Sequence, residues 1–220
     1  MFLEVACFNL ESCLIAQKAG AKRVELCQNY SAGGVTPDET TIIEARQQLR
    51  IDLFVMIRPR EGNFLYSEIE FEEMRSQVEF CKELKCNGVV FGIVTEEYQV
   101  DVARCKELVE LAKPMECTFH RAFDETENIT YALEDCITAG FTRVLTSGKK
   151  KTAREGIENL QKLIEKAKNR IKIMPGGGIR SSNISELLNR TVATEFHTAA
   201  ITDKSEIANE AEIRKIISSF

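Results

Sequence analysis

The sequence has 220 residues, 44% hydrophobic and 29% charged, with a net charge of −5. That length suits one domain with a full core, and the acidic balance gives no drive towards a nucleic-acid backbone. No stretch approaches the roughly 20 apolar residues of a membrane span, so neither nucleic acid nor membrane is an expected partner.

Strand-like and helix-like segments alternate along the chain. The first strand is predicted at Leu3–Cys7, directly behind Met1-Phe2 with no basic segment before it, and a cytoplasmic location is expected. Further strands are predicted at Arg23–Cys27, Asp52–Pro59, Gly88–Val94 and Met115–Arg121. Three more follow at Arg143–Gly148, Ile171–Pro175 and Thr194–Ala199. Between them the period changes to that of helices. Thr36-Pro37-Asp38-Glu39 reads as a helix start, with Thr36 as cap and Glu39 closing a capping box. The stretch from Glu68 to Leu84 places Phe71, Met74, Val78, Phe80, Cys81 and Leu84 largely along one face. Glu107 to Leu111, Ile129 to Ile137 and Ile157 to Ala167 read the same way, and a last helix, capped by Ser205, runs towards Ile217. Gly20 and Gly140 stand in the same helix-end pattern, Ala-Gly-x-x-Arg-Val, where a left-handed residue is wanted.

Eight strand–helix pairs predict an α/β fold, a single TIM-type (β/α)8 barrel over residues 1–220. The other candidate is an open doubly wound sheet, which usually carries a Gly-rich turn after its first strand. Here that position reads Cys7-Phe8-Asn9-Leu10.

Alternation then sorts strand side chains into those facing helices and those facing the barrel axis. Leu3, Val5, Cys7, Val24 and Leu26 face the helices, as do Cys117, Phe119 and Phe196. The inward set contains Glu4, Glu25, Cys27, Arg58, His120, Glu195 and His197. Barrel sites lie at the C-terminal ends of strands, which singles out Cys27, Arg58, His120 and His197; Glu4 and Glu195 lie deeper. The chain has two histidines, and both close a strand. Loops at the same end add Arg60, Arg121, Asp124, Ser147 and the run Gly176-Gly177-Gly178. Glycines after strand seven free backbone N–H groups to hold an anion. Strand eight offers Thr198-Ala199-Ala200 without glycine, so this reads as half of a phosphate site.

The cysteines number eight, and none forms Cys-x-x-Cys. In a reducing compartment most read as small buried hydrophobes.

The blocks Ala21-Lys22-Arg23-Val24-Glu25-Leu26-Cys27, Gly33-Gly34-Val35-Thr36-Pro37, and Met56-Ile57-Arg58-Pro59-Arg60-Glu61-Gly62-Asn63-Phe64 carry a resemblance. So do Thr118-Phe119-His120-Arg121-Ala122-Phe123-Asp124, Arg143-Val144-Leu145-Thr146-Ser147-Gly148, Met174-Pro175-Gly176-Gly177-Gly178 and Glu195-Phe196-His197. Together they resemble the CutC family of copper homeostasis proteins over nearly the whole chain. The resemblance implies a TIM-type barrel, a cytoplasmic location and a role in copper binding or trafficking. One departure is that Ala6 stands where the family pattern has cysteine after Glu4-Val5, and the cysteine, Cys7, faces the helices.

Two functions follow. Cu(I) favours soft ligands and accepts imidazole, so Cys27, His120 and His197 are candidate copper ligands. Alternatively the barrel is an enzyme, a lyase, isomerase or hydrolase, for a small anionic or phosphorylated substrate. Arg58, Arg60 and Arg121 would then clamp the anion with Ser147, Gly176, Gly177, Gly178 and His197. His120 would be general acid or base, oriented by Asp124 or Glu25. A homo-oligomer is compatible with either reading.

Overall fold

The computed structural model describes residues 1–220. Eight parallel strands alternate with eight helices. The strands are β1 Phe2–Cys7, β2 Arg23–Leu26, β3 Asp52–Met56, β4 Gly88–Phe91, β5 Glu116–Phe119, β6 Arg143–Thr146, β7 Lys172–Pro175 and β8 Glu195–Thr198. The helices are α1 Leu10–Ala19, α2 Glu39–Gln48, α3 Glu68–Glu83, α4 Val102–Ala112, α5 Ile129–Ala139, α6 Ile157–Ala167, α7 Ile184–Arg190 and α8 Glu210–Ile217. From β1 to β7 each strand pairs with the next in sequence, and β1 also pairs with β8, with Glu4 opposite His197. β7 lies beside β8 without a hydrogen-bonded ladder, so the barrel is nearly closed, with its seam there.

All eight expected strands are present, most of them shorter at the C-terminal end than the sequence predicts. There the chain leaves the ladder to build the rim loops. The ladder continues one residue further in three places, where Cys27, Ile57 and His120 donate to Cys7, Val90 and Phe91 carbonyls.

Apolar side chains on the outer face of the strands join the helices in one core, which contains Leu3, Val5, Cys7, Val24, Leu26, Phe119 and Phe196. A small second cluster of Cys27, Phe54, Met56 and Val90 lies inside the barrel. All eight cysteines are free and buried. Gly20 and Gly140 end α1 and α5 in the left-handed conformation, at φ of 99° and 92°. Ser67 and Glu70 form a capping box on α3.

Two expected caps are displaced. Asp38, not Thr36, caps α2 by accepting from Thr41 N–H, because the Thr36 hydroxyl instead accepts from Arg58 N–H and donates to Gln77. Asn209, not Ser205, caps α8, accepting from Glu212 N–H.

Candidate functional site

Two layers of polar side chains fill the lumen. The lower layer joins Glu4 and Glu195 to Arg23 and Arg143, which open β2 and β6. Arg23 donates to Glu4 and, at 2.7 Å, to Glu195. Arg143 donates to Glu195 at 2.5 Å, to Glu116 at 3.0 Å and to Thr118 at 3.2 Å. Both guanidinium groups lie over the Phe54 ring. Gly88 admits that ring, since a Cβ there would collide with it. Burial alone would raise the Glu195 pKa, but Arg143 and Arg23 outweigh it and hold the group at about 2. The alternation that turned Glu25 inward also turned Arg23 inward. That signal was available, yet the sequence reading took both arginines as part of a repeated helix-end pattern.

The upper layer opens into a cavity of about 310 Å³ at the C-terminal rim, lined by Glu25, Cys27, Arg58, His120, His197, Gly177 and Gly178, among others. That volume lies at the small end of ligand sites and suits a metabolite rather than a polymer. Glu4 connects the layers. His197 Nδ1 lies 2.6 Å from Glu4 Oε1, and His197 Nε2 lies 3.7 Å from Glu25 Oε2. Burial would raise the Glu4 pKa, but Arg23 and His197 hold it at about 2. As an ionised acceptor, Glu4 takes the His197 Nδ1 proton, so Nε2 faces Glu25. Burial would depress the His197 pKa, but the Glu25 and Glu4 carboxylates outweigh it and raise it. Burial, reinforced by Glu4 and offset in part by His197, pushes Glu25 up to about 7. Glu25 and His197 thus face each other across 3.7 Å, and the charge of each favours the charged form of the other.

His120 behaves differently. Its Nδ1 accepts the Ala122 N–H at 3.2 Å, so the neutral ring carries its proton on Nε2. Burial, then the Arg58 charge, drives its pKa down to about 3. Phe64 packs against the ring with centroids 4.7 Å apart. Three buried polar atoms of this layer, Glu25 Oε1, His120 Nε2 and Arg58 Nε, have no partner in the protein.

The rim at the seam is rich in free donors. Gly177 and Gly178 have φ of 96° and 74°, and Ala200 takes φ of 52° on the facing β8 loop. The N–H groups of Gly177, Gly178 and Ala199 donate to no protein acceptor. Arg121 donates through Nε to Asp124 and through Nη2 to Ser147, both at 2.9 Å. Its Nη1 has no acceptor and lies 3.4 Å from where a Cβ on Gly177 would stand. Arg180, which the sequence reading passed over, also lines the cavity and is held by Ile179, Thr198 and Ile201 oxygens. The β8 loop thus adds the Ala199 N–H beside the donors of the Gly-rich loop. Ala200 adopts the backbone a glycine would supply, a choice no residue pattern announces.

Several sequence-predicted roles are corrected. Asp124 does not touch His120; it accepts from Thr146, from Ser147 and from Lys149 N–H, and so holds the β6 loop and Arg121 in place. Ser147 supports Arg121 rather than lining the cavity. Arg60 lies outside the cavity and is bound to Glu70, Asn63 and the Leu65 carbonyl. Arg58 lines the cavity; its two terminal nitrogens hold the Ala32, Gly34 and Gly62 carbonyls and so fasten two loops, while its buried Nε has no partner. Gly176 does not line the cavity; a Cβ there would run into Leu145, and its absence lets the chain pass His197 closely. No three His, Cys, Asp or Glu side chains are grouped to hold a metal ion, so Cys27, His120 and His197 share a cavity without forming a ligand set. Burial, then the neighbouring Glu25 charge, raises the Cys27 pKa and keeps it a thiol. No helix is long and apolar enough to cross a membrane.

Comparison with known proteins places this geometry. The CutC family profile matches residues 1–202. A family protein CutC from Chromobacterium violaceum is 45% identical over 97% of this chain and 85% of its own length. A human protein named copper homeostasis protein cutC homolog is 44% identical over 90% of this chain and 72% of its own. The crystal structure of CutC from Streptococcus agalactiae superposes with a TM-score of 0.87 at 33% identity, covering 92% of this chain and 100% of that one. A phosphoribosylanthranilate isomerase from Thermotoga maritima, at 12% identity and a TM-score of 0.65, shares the fold alone. With residues 1–202 matched by the profile and most of its length covered at 44–45% identity, the chain belongs to the CutC family.

Proposed function

We propose that the barrel is an enzyme that binds a small phosphorylated metabolite at its rim and acts on it by proton transfer. The observation that carries this reading is the donor cradle at the seam. Three residues whose backbone N–H groups have no acceptor, Gly177, Gly178 and Ala199, line one cavity with Arg121. Such an arrangement favours a tetrahedral anion over water, since each N–H and the free guanidinium nitrogen find a charged acceptor. Below it, the Glu4–His197–Glu25 row supplies a proton acceptor and donor. Ionised Glu4 fixes the imidazole tautomer, and Glu25 faces His197 Nε2. Aromatic side chains, Phe8 and Tyr30 in edge contact at 5.0 Å, close one wall.

Calorimetric titration with inorganic phosphate tests the cradle. Saturable binding, weakened about tenfold in Arg121→Gln and unchanged in Arg60→Gln, is expected for loss of one charge-assisted bond. Absence of saturable phosphate binding, or equal binding by Arg121→Gln, contradicts the proposal.

Copper binding, suggested by the names of the relatives, has a single observation in its favour: one thiol and two imidazoles line the same cavity. Cu(I) would enter as cargo, with Cys27 as its soft ligand. Anaerobic Cu(I) titration against a competing chelator tests it; loss of tight binding in Cys27→Ala supports the copper reading, and equal binding removes it.

A further inference from the structure

Glu25 and His120 are charged or polar, deeply buried, and left incomplete by the protein itself. Glu25 Oε1 and His120 Nε2 have no hydrogen-bond partner, nor has Arg58 Nε, and all three residues line the same cavity. Buried polar groups are almost always satisfied, so three orphans in one cavity, of which Glu25 and His120 carry the chemistry, point to a ligand that completes them. Their chemistry specifies that ligand. His120 Nδ1 is occupied as an acceptor by Ala122 N–H, so Nε2 carries a proton and can only donate. It therefore wants an oxygen acceptor. Glu25 lies next to His197 Nε2, whose ring is fixed from the other side by Glu4, and so can accept a proton and pass it on. A donor to oxygen and a proton acceptor in one small cavity are the two groups needed to remove a proton from the carbon beside a carbonyl.

We propose that the substrate is a phosphorylated carbonyl compound and that the reaction begins by enolisation, with Glu25 and His197 taking the α-proton and His120 polarising the carbonyl oxygen. The inference rests on the phosphate reading of the rim and adds what happens at the floor. In the step, the C–H bond breaks and its proton goes to the Glu25–His197 pair. The C–H electrons form the C=C bond, and the carbonyl π pair moves onto oxygen, where the His120 Nε2–H hydrogen bond meets the developing charge. Return of a proton from the same pair to the α-carbon reverses the step, so enolisation by itself exchanges the α-hydrogen with solvent and needs no oxidant, reductant or co-reactant. His120 stays neutral throughout and acts as an electrophile, not as the general acid–base that sequence reasoning assigns to it.

Phosphoglycolohydroxamate, which mimics the planar enediolate, and 2-hydroxyethyl phosphate, which carries an alcohol instead, form the test pair. Wild-type protein is expected to bind the hydroxamate ~100-fold more tightly or better, as planar intermediates are favoured over ground-state analogues. His120→Leu and Glu25→Gln should each lose most of that preference, while His120→Gln, which keeps a donor, should retain part of it. Inorganic phosphate, titrated in every variant, reports on the rim and on folding. If wild-type protein binds phosphate but does not distinguish the two organic phosphates, enolisation is refuted and the rim reading survives. If it binds none of the three, both readings fall.

Discussion

Two layers of the same lumen use the same residue types to opposite ends. In the lower layer, Glu195 and Glu4 each meet a guanidinium, from Arg23 and, for Glu195, also Arg143. In the upper layer, Glu25, His120 and Arg58 keep atoms without partners. Burial is nearly equal in both, since Glu4 is 0% and Glu25 3% exposed. Pairing therefore separates scaffold from site where polarity and depth do not. A buried charge that is fully paired fixes architecture, and a buried polar atom left open invites a ligand.

The comparison can be broken first at Arg143. Arg143→Met takes away one of three cationic partners of Glu195, leaving Arg23 and Lys172, and should destabilise the fold by about 2–3 kcal/mol, read by denaturant unfolding. A cost under about 1 kcal/mol would mean the lower layer is not a working ion-pair network. Next in size is the rim. Gly177→Ala forces a side chain into a left-handed backbone at φ of 96° and pushes it against Arg121. A loss of about 1–2 kcal/mol in stability and a marked loss of phosphate binding are expected together; normal phosphate binding would count against the cradle.

The layers should also differ in pH response. Glu4 and Glu195 lie at about 2 in the fold, well below an unfolded carboxylate, so they stabilise the fold above the unfolded pKa. That contribution is lost as pH falls through the acid range towards 2. His120, held neutral down to about 3, acts in the same direction, because the unfolded imidazole takes up a proton below about 6.5. Glu25 acts oppositely. Raised to about 7, it binds its proton more tightly in the fold, so its contribution is lost as pH rises from about 4.3 towards 7. Glu25→Gln, a neutral isostere, should remove that downward slope and leave the fold more stable at neutral pH than the wild type. The smallest effect is expected at Arg60: Arg60→Gln gives up a half-exposed pair with Glu70, worth up to about 1 kcal/mol, and leaves binding unaltered.

The barrel was legible in the sequence because it is written in local periods. Val24 and Leu26 alternate with Glu25 and Cys27, and α3 repeats its apolar face at helical spacing. The inward placement of Glu25, His120 and His197 follows from the same count. What stayed hidden depends on contacts between distant loops. Asp124 serves Thr146 and Ser147 across more than twenty residues, which no local pattern encodes. The terminal nitrogens of Arg58 are taken up by carbonyls of two loops, although its position alone made it look free. Arg180 was passed over because it follows the glycine run rather than closing a strand.

Since the chain has only two histidines, imidazole nitrogen NMR resolves both without ambiguity. A pH titration from 5 to 8, repeated with saturating phosphate, tests the division of the lumen most directly. His120 should remain neutral with its proton on Nε2 throughout, His197 should titrate above the ordinary histidine value, and phosphate should perturb the site. A His120 that titrates near 6.5, or two rings indifferent to phosphate, would contradict an open upper layer built to receive a ligand.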